Sequence, residues 1–212
     1  MIDKWLSKTK FKEGYEKFVK KIVSSRISAN QLTIVGLVIG LISALFIYLS
    51  SVFEELLIEF IVLSIIFTIV SFFIDTLDGS VARFEGPTIF GGILDIFCDR
   101  LVEATIIIAI VATDPSKLVW PGMFSLAAII LCISMFLIVG GIIKRDELDK
   151  DTKVIKYQGG LMERSETFFC LLAIILLIPW RFVILWIFAI LVFLTALLRL
   201  RAAYKIFKLK DA

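Results

Sequence analysis

The sequence predicts an all-α integral membrane protein with six transmembrane helices and an N-terminal amphipathic interfacial helix. Three observations carry that prediction. The 212 residues are 59% hydrophobic, above the near-half apolar share of a soluble domain. The apolar residues fall into six blocks that are long or near-long enough to cross a bilayer, for which roughly 20 residues are needed. Lysine and arginine alternate between rich and poor connections along the chain, as they do when loops alternate between two sides of a membrane.

Taken in order, Met1 to Ser25 repeats Trp5, Leu6, Phe11, Tyr15, Phe18, Val19 and Ile22 at spacings near three to four, with lysines between. That is a basic amphipathic helix suited to lying on an anionic leaflet. The first crossing is expected from about Gln31 to Ser50. The second runs from about Leu56 to Ile74 and continues into an acidic motif. The third runs from near Phe90 to near Ala112, and the fourth from about Leu118 to Ile143. The fifth, Glu166 to Leu177, is short and is expected to begin near Met162. The sixth, Phe182 to Leu198, follows Ile178-Pro179-Trp180-Arg181. The first apolar block is long enough to span and is expected to stay in the mature protein. The expected organisation is one membrane domain over 1–212: a juxtamembrane helix at 1–26, a six-helix core at 27–200 and a cytoplasmic tail at 201–212.

Charge orients these segments. The N-terminal stretch carries eight Lys or Arg, Lys144 to Arg164 carries six, and the chain from Arg199 carries five. The alternate connections are poor: Ser50 to Glu55 has none, Thr113 to Leu118 has Lys117, and the last hairpin has Arg181. Both termini and the acidic motif are therefore expected on the cytoplasmic side of the cytoplasmic membrane. Trp120, Trp180 and Trp186 then mark the outer interface.

Composition also excludes chemistry. There is no histidine, which rules out His-ligated zinc, a His general base and a Ser-His-Asp triad. Cys98, Cys132 and Cys170 each sit in an apolar block without metal-ligand spacing, and read as small buried hydrophobes.

Against this apolar background stand four aspartates, in Asp75-Thr-Leu-Asp78-Gly79-Ser-Val-Ala82-Arg83 and Gly91-Gly-Ile-Leu-Asp95-Ile-Phe-Cys-Asp99. Charge near a bilayer needs a partner, a metal or a water-filled cavity. Asp75 and Asp78 share one helix face, and Asp95 and Asp99 share a face of the next helix. Gly86-Pro87 between them breaks the helix and reverses the chain, which brings both pairs to one depth. Clustered carboxylates repel, and a hard divalent cation such as Mg²⁺ or Mn²⁺ relieves the conflict. Four acids can hold two such ions bridging a diphosphate. Gly79 and Ala82 leave room for a ligand to approach the backbone, and Arg83 can clamp a phosphate. A proton or cation pathway is the other use of intramembrane acids, but it does not explain why these acids lie at helix ends rather than at the midplane.

The run resembles the signature D-x2-D-G-x2-A-R-x8-G-x3-D-x3-D of the CDP-alcohol phosphatidyltransferase family, through Asp75, Asp78, Gly79, Ala82, Arg83, Gly91, Asp95 and Asp99. It is one residue short between Arg83 and Gly91, in the turn where a deletion is best tolerated. Ile27-Ser-Ala-Asn30-Gln-Leu-Thr33 resembles the family's I-[ST]-P-N-x-x-T entry to the first crossing, with Ala29 in place of proline. Gly159-Gly160-Leu161-Met162-Glu163-Arg164 resembles the segment before the fifth helix.

The resemblance implies metal-dependent transfer of a substituted phosphate from a CDP-alcohol to an acceptor alcohol, with release of CMP. Asp75, Asp78, Asp95 and Asp99 would hold two Mg²⁺ or Mn²⁺, and Asp99 would also accept the acceptor's proton. Asn30, Thr33, Asp78, Gly79, Ala82, Arg83, Thr88 and Gly91 would contact the nucleotide. Glu103, Lys144, Arg145 and Arg164 are candidate acceptor contacts, and each also has a bland reading as a structural or interfacial charge. Membrane access suggests CDP-diacylglycerol or CDP-archaeol as donor, with inositol phosphate or glycerol phosphate as acceptor in phospholipid biosynthesis. A soluble donor such as CDP-inositol and an ion-coupled carrier are the alternatives. The resemblance also implies a homodimer; nucleic acid is not an expected partner.

Overall fold

The computed structural model describes residues 27–149 and 164–208, with 143–149, 164 and 206 described in backbone only. The expected amphipathic helix at 1–26 and the segment Gly159 to Glu163 lie outside the described residues. Among those described there is no strand, and six α-helices follow one another: α1 Ala29–Val52, α2 Leu57–Glu85, α3 Ile89–Thr113, α4 Pro115–Asp149, α5 Arg164–Leu176 and α6 Arg181–Lys208. Short 3₁₀ turns at Glu54–Leu56 and Ile178–Trp180 join α1 to α2 and α5 to α6.

Each boundary has a local cause. Ser28 caps α1 through a capping box, its side chain accepting from the Gln31 amide while Gln31 accepts from the Ser28 amide. α2 runs unbroken through the acidic motif and stops at Gly86, whose φ of 98° is open to glycine and unfavourable for other residues. Thr88 then starts α3 by accepting from the Gly91 amide. Asp114 caps α4, accepting from the Ser116 hydroxyl and the Lys117 amide, and Pro115 occupies the first helical position, where no amide is needed. Those contacts, Ser116 foremost and then Lys117, hold the Asp114 carboxyl below the usual carboxylate range.

Two helices outrun the sequence expectation. α4 continues to Asp149; its 35 residues rise about 50 Å, well beyond a hydrocarbon core of about 30 Å. α6 stays helical to Lys208, so most of the segment expected as a tail from 201 is helix. Helix propensity, not hydropathy, sets both ends, because Lys, Arg, Ala, Glu and Leu all favour helix.

Four segments are long and apolar enough to cross a membrane: Ala29–Val52, Glu54–Glu85, Pro115–Ile142 and Ile178–Lys205. α3 carries Asp95, Asp99, Arg100 and Glu103, and α5 is apolar only over Ser165–Leu176. These two are the helices whose crossing length and composition alone do not establish.

The described residues form two compact units, one ending at Thr113 and the other starting at Asp114. In the first, α1 packs on both α2 and α3. Its seam is made of small and hydroxyl residues. Ser43 donates to the Ser64 carbonyl at 2.8 Å and pairs with Thr68 at 2.6 Å, and Ser71 donates to the Gly36 carbonyl at 2.7 Å. Gly36 and Gly40 supply the small-x-x-x-small spacing that lets membrane helices approach closely. A Cβ at Gly40 would lie 2.6 and 2.7 Å from the Val102 methyls and 2.9 Å from Ser71 Oγ, so three helices converge on that one glycine.

In the second unit, α6 packs on α4 and α5. Ser125 of α4 donates to the Leu185 carbonyl, and Arg199 of α6 donates to the Cys132 carbonyl at 3.0 Å while stacking on Phe136. Arg181 is 5% exposed and donates to the Ile174 and Ile175 carbonyls, satisfying the last turn of α5 with a cation at its negative end. Trp120 and Trp180 are largely exposed, and the Phe124 and Trp186 rings meet at 5.3 Å.

Candidate active site

The site belongs to the first unit and is built by the N-terminal ends of α1 and α3 and the C-terminal end of α2. On α2, Asp75, Asp78, Ala82 and Glu85 succeed one another at offsets of three and four, a single helical stripe. On α3, Asp95 and Asp99 do the same. Three of these acids come together: carboxylate oxygens of Asp75, Asp95 and Asp99 lie within 4.8 Å of one another, and all three residues are half-buried. Two unit charges at that separation repel by at least about 3 kcal/mol at an effective dielectric of 20. A hard divalent cation turns that repulsion into attraction, and an all-oxygen donor set is what Mg²⁺ and Mn²⁺ prefer. The residues therefore fit such an ion.

Asp78 is turned differently. It is 3% exposed and accepts a 2.6 Å hydrogen bond from the Thr33 hydroxyl, which ties α2 to α1. Asp78 thus stands beside the three-acid group rather than within it.

Next to the acids opens a cavity of about 350 Å³. Of the residues expected at the nucleotide, Asn30, Thr33, Asp78, Gly79, Ala82, Thr88 and Gly91 line it, together with Asp95. Nothing lies within 4 Å of where a Gly79 Cβ would be, so the backbone there is bare. Gly91 is the reverse: a Cβ would meet Thr88 Oγ1 at 2.8 Å and Asn30 Oδ1 at 3.0 Å. Arg83 is exposed, does not line this cavity, and donates to Ser80 Oγ at 2.9 Å.

Glu103 is 2% exposed and paired with Arg100 one turn back on α3; Arg100 also lies 3.9 Å from Asp99. Lys144, Arg145 and Arg164 belong to the second unit, and their side chains lie outside those described. Ser28, Glu85, Gly86, Pro87 and Gly92 also line the cavity, although the sequence reading gave none of them a role at the site. A signal existed for Glu85, ten residues after Asp75 on the same stripe, and for Ser28, in the S-x-x-Q pattern of a capping box.

Comparison with known proteins bears on family and fold. The chain is similar to the archaetidylinositol phosphate synthase of Pyrococcus horikoshii, 37% identical over 102 residues. That match covers 48% of this chain and 50% of the relative, so the chain spans about half the length of that protein. It is 28% identical to the inner membrane protein YnjF of Escherichia coli over 84% of each chain. Its fold is that of the phosphatidylinositol phosphate synthase of Mycobacterium tuberculosis solved with CDP-DAG bound. The TM-score is 0.64 at 19% identity, over 90% of this chain and 93% of the other; the same mycobacterial protein has also been solved in complex with manganese and citrate. The family profile for CDP-alcohol phosphatidyltransferase matches residues 26–197, and with the motif and fold in agreement the chain belongs to that family of phosphotransferases.

Proposed function

We propose that this protein transfers the substituted phosphate of a CDP-alcohol to the hydroxyl of an acceptor alcohol, releasing CMP, in phospholipid biosynthesis. The donor is CDP-diacylglycerol or its archaeal ether counterpart CDP-archaeol, and the acceptor is an inositol phosphate or a glycerol phosphate. One observation carries this reading: three carboxylates within 4.8 Å of one another stand beside a cavity that Asp78, Gly79 and Ala82 help to line. That combination suits a diphosphate whose charge must be offset at one end while the rest of the molecule is held at the other. The CDP-DAG and manganese complexes of the mycobacterial protein, and the archaetidylinositol phosphate product in the archaeal relative's name, support the donor, the ion and the acceptor class.

Asp75, Asp78, Asp95 and Asp99 would hold two Mg²⁺ or Mn²⁺. When bound, the ions supply charge neutralisation on the transferring phosphate and on the departing CMP. The chain's own residues do the rest. Thr33 fixes one oxygen of Asp78. Gly79 and Ala82 admit the donor against the backbone. The acceptor oxygen forms a bond to the lipid-side phosphorus, the bond from that phosphorus to the bridging oxygen breaks, and the electron pair leaves with CMP. Asp99 takes the acceptor's proton, its carboxylate oriented by the neighbouring Arg100.

We infer further that α3 and α5 cross the bilayer with the other four helices, making six crossings with both termini and the site cytoplasmic. The lysine-rich and lysine-poor connections support this. The whole chain then acts as one transferase domain, and a homodimer is the assembly expected from the family resemblance.

The test is CMP release by the purified protein in lipid with Mg²⁺. CDP-diacylglycerol, CDP-archaeol and CDP-inositol serve as donors against inositol 1-phosphate, glycerol 3-phosphate, inositol and serine. Acceptor-dependent CMP from one lipid donor, lost in Asp99→Asn, is the expected result. CMP from CDP-inositol alone would move the donor to the soluble class. Failure to bind either the metal or any CDP-alcohol would sink the transferase reading and favour an ion-coupled carrier.

A further inference from the structure

Glu85 is the one acid on the α2 stripe for which the transfer chemistry has no use. It is the last residue of α2, seven positions beyond Asp78, which puts it about 10 Å farther along the helix axis. Its Oε2 accepts from the Ala29 amide at 3.2 Å, across 56 residues of sequence, so the end of α2 is tied to the beginning of α1. That bond uses one carboxylate oxygen. Among the described residues no hydrogen bond or ion pair engages Oε1, and Glu85 lines the cavity. Asn30 and Thr88 line the same end, their tips converging on Gly91. The cavity therefore has two chemically distinct ends: carboxylates for a metal and diphosphate around Asp78 and Asp95, and a carboxylate, an amide and a hydroxyl around Glu85, Asn30 and Thr88.

We propose that Glu85 is a specificity-determining residue that reads the exocyclic amine of a cytosine base, with Asn30 completing the edge. This rests on the CDP-alcohol reading above. The physical reason is the pattern of donors and acceptors. Cytosine presents an amino donor where uracil presents a carbonyl acceptor, and a carboxylate accepts from the first and repels the second. Asn30 carries both a donor and an acceptor and can meet the ring's remaining polar atoms. The rise from Asp78 to Glu85 matches the reach of a nucleoside diphosphate laid along α2, with phosphates at the aspartates and base at the far end. A base held this way also bridges α1 and α2 over the same contact that Glu85 makes with Ala29.

The experiment is a ligand-variant cycle on the full chain in lipid nanodiscs with Mn²⁺. It measures the affinity of CDP, UDP and the diphosphate of the 4-deamino cytidine analogue (pyrimidin-2-one ribonucleoside) for wild type, Glu85→Gln and Glu85→Ala. Wild type is expected to prefer CDP over both others by about tenfold or more, the usual weight of one hydrogen bond to a charged group. Glu85→Gln keeps an acceptor for the Ala29 amide and should narrow the CDP-to-UDP ratio. Glu85→Ala should bind CDP and the deamino analogue alike. If Glu85→Ala weakens CDP and the analogue by the same factor, Glu85 is only a strut between α1 and α2 and the proposal falls. It falls equally if neither variant changes any ratio. If wild type binds none of the three, the transferase reading itself fails, and the proposal with it.

Discussion

Gly40→Ala tests the packing that holds the acidic cluster together. The added methyl would sit 2.6 and 2.7 Å from the two Val102 methyls and 2.9 Å from Ser71 Oγ, against the 3.5–4.0 Å or so that carbon atoms prefer. Val102 lies three residues past Asp99 on α3, and Ser71 lies four before Asp75 on α2. The methyl therefore wedges α2 and α3 apart about one turn below the carboxylates they bring together. Overpacking of this kind typically costs about 1–3 kcal/mol. Val102→Ala removes both struck methyls and by itself should cost on the order of 1.5 kcal/mol for two buried methyl groups. The double variant should then be more stable than the two single costs predict, by about 1 kcal/mol or more, because the two closest contacts are gone and only the one with Ser71 Oγ remains. The assay is reversible unfolding in lipid or detergent for the four proteins, with and without Mn²⁺. Gly40→Ala should also lose part of the stabilisation that Mn²⁺ confers, since that gain depends on metal affinity. A neutral Gly40→Ala, or strictly additive costs in the double variant, would refute the three-helix convergence at Gly40.

Other expectations follow from single contacts. Thr33→Val removes the 2.6 Å bond to the buried Asp78; it should destabilise by about 1–3 kcal/mol and weaken CDP binding, with Thr33→Ser restoring both, as isothermal titration would show. Arg181→Met removes the donors to the Ile174 and Ile175 carbonyls. It should lower the unfolding temperature and raise hydrogen exchange in the last turn of α5 while leaving nucleotide affinity unchanged. At Asp114, Ser116 and Lys117 depress the folded carboxyl below its unfolded value. Its contribution is therefore present above about pH 4 and lost as pH falls below that. Asp114→Ala should abolish that acid-side component, seen as a flatter stability-against-pH curve.

Much of this protein was legible in the residues. The apolar share, the block lengths and the uneven lysines and arginines were enough for an all-helical membrane class, because a bilayer constrains every segment that enters it. The helices α1 and α3 begin and end within a few residues of their expected limits, α2 begins where expected and runs on through the acidic motif to Glu85, and Gly86-Pro87 reverses the chain where expected, because a positive φ and a missing amide are local properties. The extensions of α4 to Asp149 and α6 to Lys208 were not legible from hydropathy, since a helix persists past the bilayer wherever propensity allows.

Spacing determined that Asp75 with Asp78, and Asp95 with Asp99, would share helix faces. Only tertiary structure decided which carboxylates meet. Asp75 joins Asp95 and Asp99, while Asp78 turns to Thr33. A helical period states which side of its own helix a side chain occupies, but not the rotation of that helix against its neighbours. That rotation is set here by where α1 can approach α2 and α3, at Gly36 and Gly40. For the same reason Glu103, one turn beyond Asp99, is buried against Arg100. Glu85, with no part in the recognised motif, reaches across to Ala29 and into the cavity. Sequence alone determined the chemical class of the site, because carboxylates in an apolar chain have few uses. The assignment of each group to its partner waited on packing, which is decided by contacts between residues far apart in the chain.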